Sequence, residues 1–247
     1  MKKLTAVFIF LLSGFAFAQA PSGEEILKHI DKNLIIDRAL LNTTMVIHGR
    51  AGTRSVKSKN WIEGRDKAFV EYTDPPREKG KKMLKLAGQI WNYIPEPTDR
   101  IITISGHLLR QSVMGSDLSY EDITENRKLT DLYNAKVTGS EKMNGRDCYV
   151  VYLTAKQEDI TYYSRKLWVD KERWLPLKEE MYARSGKPLK MSEINDVMRI
   201  EDRWYPKKMT FRDLMQTGGE GTEYMIDSIN FHVNIPASQF TKAALKK

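Results

Sequence analysis

The chain has 247 residues and a formal net charge of +8, and 41% of its residues are hydrophobic. The length favours one large β domain, and the hydrophobic share is sufficient for a core. After the first segment, no stretch approaches the roughly 20 consecutive apolar residues of a transmembrane helix, which excludes later membrane-spanning helices. The net charge is modest and the chain carries an export signal, so we expect no nucleic-acid partner.

The start of the chain has the pattern of a signal peptide. Lys2 and Lys3 supply the positive region, residues 4–17 are apolar, and residues 16–18 (Ala-Phe-Ala) form a small-residue cleavage site. We expect cleavage after Ala18, so that residues 1–18 are removed and residues 19–247 form a single domain. No Cys follows the apolar region, and we therefore expect a soluble product without a lipid anchor.

An amphipathic helix is predicted at residues 22–35. Ser22 and Glu25 have the spacing of a capping box. One apolar stripe, which needs a sheet to pack on, is formed by Ile26, Leu27, Ile30 and Leu34.

Runs with period-two alternation or β-branched enrichment then predict about ten strands at the spacing of a meander. The Asn144-Gly145 pair is a strong hairpin signal within this series. A meander of this length should curl or close, which indicates a mainly β (α+β) fold with one curved antiparallel sheet.

The strand at residues 89–95 and the next at residues 100–104 carry large apolar residues on both faces. Trp91 and Tyr93 lie on one face of the first strand, and Ile90 lies on the other. We therefore expect apolar cover on both sides of the sheet here, and the pattern does not tell which face is concave.

After these strands the pattern changes to an apolar elbow, residues 107–122. Leu108, Leu109 and Val113 have roughly helical spacing, Gly115 interrupts it, and Ser119 begins a new capped turn with the acidic residue three positions later. The elbow either completes an ordinary core or forms a lid over an apolar cavity. The lid hypothesis gives these candidate ligand-binding residues: Leu84, Leu86, Trp91, Tyr93, Leu108, Leu109, Val113, Met114 and Leu118.

Residue patterns for catalysis are weak. Cys148 is the single cysteine and lies in a strand-like run, so we expect a buried small hydrophobe and no disulfide. The acidic cluster of Asp117, Glu121 and Asp122 could perform acid–base chemistry, but helix capping explains it at least as well. We expect no metal or cofactor, because no ligand spacing connects His29, His48, His107 and His232. The sequence therefore favours binding over enzymatic activity.

Four stretches resemble the LolA/LolB-like superfamily, and more closely its branch of outer membrane lipoprotein-sorting proteins. They are IWNYIPEPTDRIITI, SVMGSDLSYEDI, LWVDKERWLPLKEEMY and INDVMRIEDRWYPKKMTFRD. The resemblance implies a half-open antiparallel β-barrel covered by an N-terminal helix and the mid-chain elbow, with an apolar cavity that shelters lipid chains. The second stretch is the most specific of the four, and no ligand-gating residue of the family is carried over to a position here.

The resemblance also implies a function in the periplasm. The expected activity is to bind acyl chains of lipoproteins or other lipids and carry them towards the outer membrane. The implied partners are those lipids and an inner-membrane transporter, with transient contact to the membrane surface and a monomeric carrier. The alternative is a non-enzymatic accessory or sensor module that docks on a membrane transporter or signalling protein. A hydrolase that uses Asp117 or Glu121 is a third hypothesis.

Overall fold

One antiparallel sheet contains most of the chain. The computed structural model describes residues 20–49, 52–216 and 219–247, so the predicted signal peptide and its cleavage site lie outside the described residues. Within them, the sheet has thirteen strands. In chain order these are β1 Arg38–Gly49, β2 Gly52–Glu63, β3 Lys67–Asp74, β4 Lys82–Leu86, β5 Gln89–Ile94, β6 Arg100–Ile104, β7 Tyr133–Met143, β8 Arg146–Ala155, β9 Ser164–Asp170, β10 Pro176–Tyr182, β11 Pro188–Ile200, β12 Arg203–Asp213 and β13 Gly221–Asn230.

The prediction of a mainly β fold with a curved antiparallel sheet is confirmed. The sheet has thirteen strands where about ten were expected, and β4, β5 and β6 are only five or six residues long. Register shifts in several pairs, such as the one between Asn42 and Thr43 in β1, bend the strands and increase their twist. The curvature therefore arises in part from bulges within the long strands.

The strand order places the first half of the chain beside the last strand. Across the sheet it runs β6-β5-β4-β3-β2-β1-β13-β12-β11-β10-β9-β8-β7, with Met45 of β1 opposite Tyr224 of β13. The two edges are thus β6 and β7, which are consecutive in sequence. Residues 105–132 join these edges and contain the elbow.

Short helices pack on this sheet. They are α1 Gly23–Leu34, α2 Tyr120–Thr124, α3 Leu129–Leu132 and α4 Lys242–Leu245, together with 3-10 turns at Gly106–Arg110 and Ala237–Phe240. We call the face of the sheet towards α1 and α2 the inner face, and the opposite face the outer face.

The first helix confirms its prediction. Glu25 N donates to Ser22 Oγ at 3.2 Å, and Ser22 N donates to Glu25 Oε2 at 2.7 Å, which completes the capping box. Ile26, Leu27 and Ile30 are fully buried against β8 and β9, and each such burial contributes about 1.5–3 kcal/mol. The helix thereby closes the inner face at the β7 end of the sheet.

The contacts of α2 show how strongly the sheet curves. Its first residue, Tyr120, meets Asn92 of β5, and Asp122 meets Lys190 of β11. Six strands separate β5 from β11, so these strands would lie about 34 Å apart in a flat sheet. A five-residue helix is only about 7.5 Å long. The sheet must therefore wrap around α2, and the inner face is the concave one.

The outer face carries the end of the chain. Ile235, Phe240 and Leu245 are buried against an apolar surface formed by Phe69, Leu84 and Trp91. This packing covers β3, β4 and β5 on the side away from the elbow. The predicted double cover of these strands is thus present, with the C-terminal residues as its outer layer.

Candidate functional site

The centre of the concave face is occupied by α2, whose start follows directly from its sequence. Ser119 N donates to Asp122 Oδ2 at 2.7 Å, and Asp122 N donates to Ser119 Oγ at 3.2 Å, so the predicted cap is a full capping box. Gly115 precedes it with φ +68°, in the left-handed region that suits glycine. The elbow can therefore reverse direction and direct α2 into the interior.

A buried ion pair holds α2 to one half of the sheet. Asp122 pairs with Lys190 of β11, and the two side chains are only 12% and 7% exposed. Tyr162 adds a hydrogen bond from its hydroxyl to Asp122 Oδ1 at 2.7 Å. Burial alone would raise the pKa of Asp122, but the Lys190 charge and these hydrogen bonds hold that pKa below its ordinary value. The carboxylate is therefore charged at neutral pH.

The other two carboxylates of the acidic cluster anchor the elbow. Asp117 accepts hydrogen bonds from Asp213 N at 2.9 Å and from Thr222 Oγ1 at 2.6 Å, at the ends of β12 and β13. Glu121 accepts a hydrogen bond from Thr161 Oγ1 at 2.7 Å. Asp117 thus joins the elbow to the sheet, and Glu121 joins it to the connection between β8 and β9, which favours the capping and anchoring interpretation over acid–base chemistry.

The other half of the sheet donates hydrogen bonds to uncharged acceptor atoms on α2. Asn92 Nδ2 donates to Tyr120 Oη at 2.7 Å, and Lys85 Nζ donates to the carbonyl of Thr124 at 2.7 Å. Burial lowers the pKa of Lys85. The helix is therefore suspended between β4 and β5 on one side and β11 on the other.

Asn126, just after α2, closes one end of the interior. Its Nδ2 donates to the carbonyls of Ile36 at 2.7 Å and of Gly64 at 2.9 Å, and its Oδ1 accepts from Ile36 N at 3.2 Å. One side chain thus joins α2, the start of β1 and the β2–β3 turn.

An apolar cavity of about 250 Å³ lies between α2 and the strands on the β1 side of the sheet. Asn60 and Asn126 contribute polar atoms to its lining, and Arg65 marks its exposed margin. Its apolar wall includes Leu41, Ile62, Val70, Tyr205, Phe211 and Ile226. Ligand pockets are concave, mostly apolar and fitted with a few polar groups, so this cavity has the make-up of a binding site for an apolar group.

A second cavity, of about 150 Å³, lies on the other side of α2 towards β9, β10 and β11. Charged side chains make up half of its lining residues, and Arg127, Arg165 and Lys190 are the basic ones. The two cavities share four lining residues, Leu118, Asp122, Glu125 and Phe211. Phe211 and residues 118–125, which include α2, therefore separate the apolar cavity from the second cavity, which we call the charged compartment because it has seven charged lining residues.

The structure places the five candidate residues of the elbow on the inner face. Leu118 lines both cavities. Val113 and Leu118 are buried in the apolar cluster between the elbow and β1–β5, and the half-buried partners there are Leu108, Leu109 and Met114. These five are thus together beside the cavity, with Leu118 in direct contact with it.

The four candidates from β4 and β5 lie elsewhere. Leu84, Leu86, Trp91 and Tyr93 face outward and pack with the C-terminal residues, so they do not line the apolar cavity. Ile90 faces the elbow instead. Sequence pattern alone did not distinguish these faces, because both are buried and both carry large apolar side chains.

Most of the cavity wall was not predicted as a site. Tyr205, Phe211 and Ile226 come from β12 and β13, which lie beside β1 only because the end of the chain pairs with its beginning. Alternation along these strands was the available signal, and it indicates an inward face without indicating what that face encloses.

The single cysteine lies in the interior of the protein. Cys148 is fully buried, as expected, and burial raises the pKa of its thiol to about 11. Across the part of the chain that the structure covers, no helix is long and apolar enough to cross a membrane, and no group of three potential metal ligands occurs.

Comparison with known proteins assigns the chain to a family. A family model described as "Uncharacterized protein" matches residues 64–247. The chain belongs to this family. No curated protein matches it. The match covers the sheet from the β2–β3 turn to the end of the chain, and so includes most strands of the sheet.

Solved structures show the fold. A DUF1329 family protein from Desulfovibrio piger is 23% identical, covers 90% of this chain and 97% of its own, and has a TM-score of 0.79. A domain from Vibrio parahaemolyticus described as an outer membrane lipoprotein-sorting protein is also 23% identical. The match covers 91% of this chain and 98% of that domain, with a TM-score of 0.77. A LolA superfamily protein from Nitrosomonas europaea is 23% identical as well. The match covers 91% of this chain and 100% of that protein, with a TM-score of 0.75. The resemblance noted from the sequence is confirmed at the level of fold: the chain has a LolA-like fold.

Proposed function

We propose that the protein is a periplasmic carrier that binds acyl chains of lipoproteins or other lipids in the apolar cavity beneath α2 and transfers them towards the outer membrane. The observation that supports this most is the cavity itself, a space of about 250 Å³ within a curved sheet. The LolA-like fold and the signal-peptide pattern at residues 1–18, with cleavage after Ala18, agree with it. An inner-membrane transporter would load the monomeric carrier.

The size of the cavity sets the scale of the interaction. A group of water size takes about 30 Å³ in a liquid, so the cavity has room for on the order of eight groups of that size. With about 0.8 kcal/mol for each buried methylene, eight methylenes contribute about 6 kcal/mol. A longer chain would therefore need additional space.

Movement of α2 would supply that space. The helix has five residues, and Ile123 is only half-buried, so polar contacts to Asn92, Lys85 and Lys190 provide much of its attachment. When α2 moves, the elbow residues beside the cavity become additional contacts for the chain. We propose this role for Leu108, Leu109, Val113, Met114 and Leu118.

The test uses a pair of matched methionines on neighbouring strands. Met209 of β12 lines the apolar cavity, whereas Met225 of β13 is opposite Lys208 on the outer face; both are half-buried. Titration with a fluorescent fatty acid should show binding to the wild-type protein and to Met225→Lys, and loss of binding in Met209→Lys. Native mass spectrometry of the protein from its own host should show a bound lipid. Absence of both lipid and probe binding in the wild-type protein would refute the carrier function.

A further inference from the structure

The charged compartment beside the apolar cavity has donors that its own residues do not use. Arg165 Nη1 donates to Glu179 Oε1 at 2.8 Å, and Nε donates to Tyr133 Oη at 2.8 Å. Within the described residues, Nη2 makes no hydrogen bond. Lys190 Nζ has three protons, and its one hydrogen-bond partner in the same residues is Asp122.

Both cations are held against one aromatic ring. Arg165 Cζ lies 5.3 Å and Lys190 Nζ lies 5.8 Å from the centroid of Tyr162. Their side chains are only 13% and 7% exposed, and both line the cavity of about 150 Å³. Donors that face a cavity and have no partner in the protein are available to an oxygen-rich ligand.

All but one of the carboxylates in the compartment that the structure describes are paired with a cation. Glu125 is paired with Arg127 at 2.6 Å, and Glu179 and Asp122 are paired as described above. Glu121 lines the same cavity and forms no ion pair among the described residues. The compartment therefore offers unused cationic donors together with one carboxylate that lacks a cation.

We propose that this compartment holds the phosphate and amine of a glycerophospholipid headgroup while the acyl chain of the same molecule lies in the apolar cavity. The phosphate accepts from Arg165 Nη2 and Lys190 Nζ, and the ammonium group lies at Glu121. Among the described residues, Leu118, Asp122, Glu125 and Phe211 line both compartments, so one molecule that passes between these side chains reaches both while Glu121 stays in place. This inference rests on the proposed carrier function and adds the headgroup that the carrier selects.

The experiment compares three ligands with one and the same acyl chain: a lysophosphatidylethanolamine, a lysophosphatidylglycerol and a monoacylglycerol. Displacement of the fluorescent fatty acid gives their affinities. Phosphate hydrogen bonds to two buried cations should make the ethanolamine lipid about tenfold or more tighter than the monoacylglycerol, with the glycerol lipid between them. Glu121→Gln should remove the difference between the two phospholipids.

The double variant Arg165→Met with Glu179→Gln removes one cation without leaving its partner charged. It should reduce the phosphate preference to about threefold or less. Arg165→Lys keeps the charge and loses the free Nη2 donor, so it should give an intermediate preference even if the double variant does not fold. The matched control is Arg184→Met with Glu158→Gln, an exposed pair at 2.9 Å whose removal should leave all three affinities unchanged.

The outcomes separate the two levels of the proposal. Equal affinity of the wild-type protein for all three ligands, unchanged in Arg165→Lys, would show that the compartment holds water only, and the carrier function would stand. Failure of every ligand, including the monoacylglycerol, would refute the carrier function itself.

Discussion

Removal of the Lys190 charge should release the strongest attachment of α2. In the variant Lys190→Met, Asp122 stays in an environment where its side chain is 12% exposed, but it loses its counter-ion. The hydrogen bonds from Ser119 and Tyr162 remain. The carboxylate must then either stay charged without a cation or take up a proton.

The expected cost is large because both partners are buried. Loss of one partner of a buried ion pair costs about 3–5 kcal/mol, whereas replacement of both partners is often nearly neutral. We therefore expect Lys190→Met to lower the free energy of unfolding by about 3–5 kcal/mol, and the double variant with Asp122→Asn to lower it by about 1–2 kcal/mol. For a domain of this size the single variant should lower Tm by roughly 10 °C.

Urea unfolding followed by circular dichroism at pH 8 and pH 5 measures these values. In the wild-type protein the pKa of Asp122 is lowered, so its contribution is present above the unfolded value of about 3.9 and is lost as the pH falls through the folded pKa. In Lys190→Met, burial raises this pKa, so the deficit relative to the wild-type protein should be smaller at pH 5 than at pH 8. A deficit under about 0.5 kcal/mol at pH 8 would refute this reasoning, because the pair would then not hold α2.

Three further predictions concern the packing around the sheet. Gly23→Ala should destabilise the protein by about 1–3 kcal/mol, because its Cβ would lie 2.4 Å from the carbonyl oxygen of Ala135. The control Gly139→Ala meets nothing within 4 Å and should be nearly neutral. Equal Tm values of the two variants would contradict this prediction. Cys148 should react with a thiol reagent at pH 8 much more slowly in the folded protein than in urea, because its pKa is raised to about 11 and it is buried; similar rates would contradict that burial. Phe240→Ala should lower the free energy of unfolding by about 3–5 kcal/mol in chemical unfolding. It should leave the fatty-acid affinity unchanged, because Phe240 packs on the outer face of the sheet. Loss of binding by the folded variant would place the ligand on that outer face.

Local sequence signals predicted the local structure well. Ser22 with Glu25, and Ser119 with Asp122, form capping boxes as their spacing indicated, because both partners lie within one helical turn. These features depend on neighbouring residues, so the sequence contains the information needed to find them.

The site depends on contacts that no local pattern contains. Asp122 and Lys190 are 68 residues apart, and their pairing requires the strand order that places β11 across the concave face from β5. Trp91 was a reasonable candidate for the cavity, but the C-terminal residues cover its face. A two-sided apolar strand fits either assignment, so only the tertiary arrangement identifies the inner face.

Photo-crosslinking with a fatty acid that carries a diazirine on its acyl chain tests the central claim most directly, because it locates the bound chain. Peptide mapping after irradiation should place the adducts on residues that surround the inner cavity, such as Leu118, Ile123 and Phe211. Adducts confined to the outer surface around Leu84 and Phe240, or no adduct at all, would contradict it.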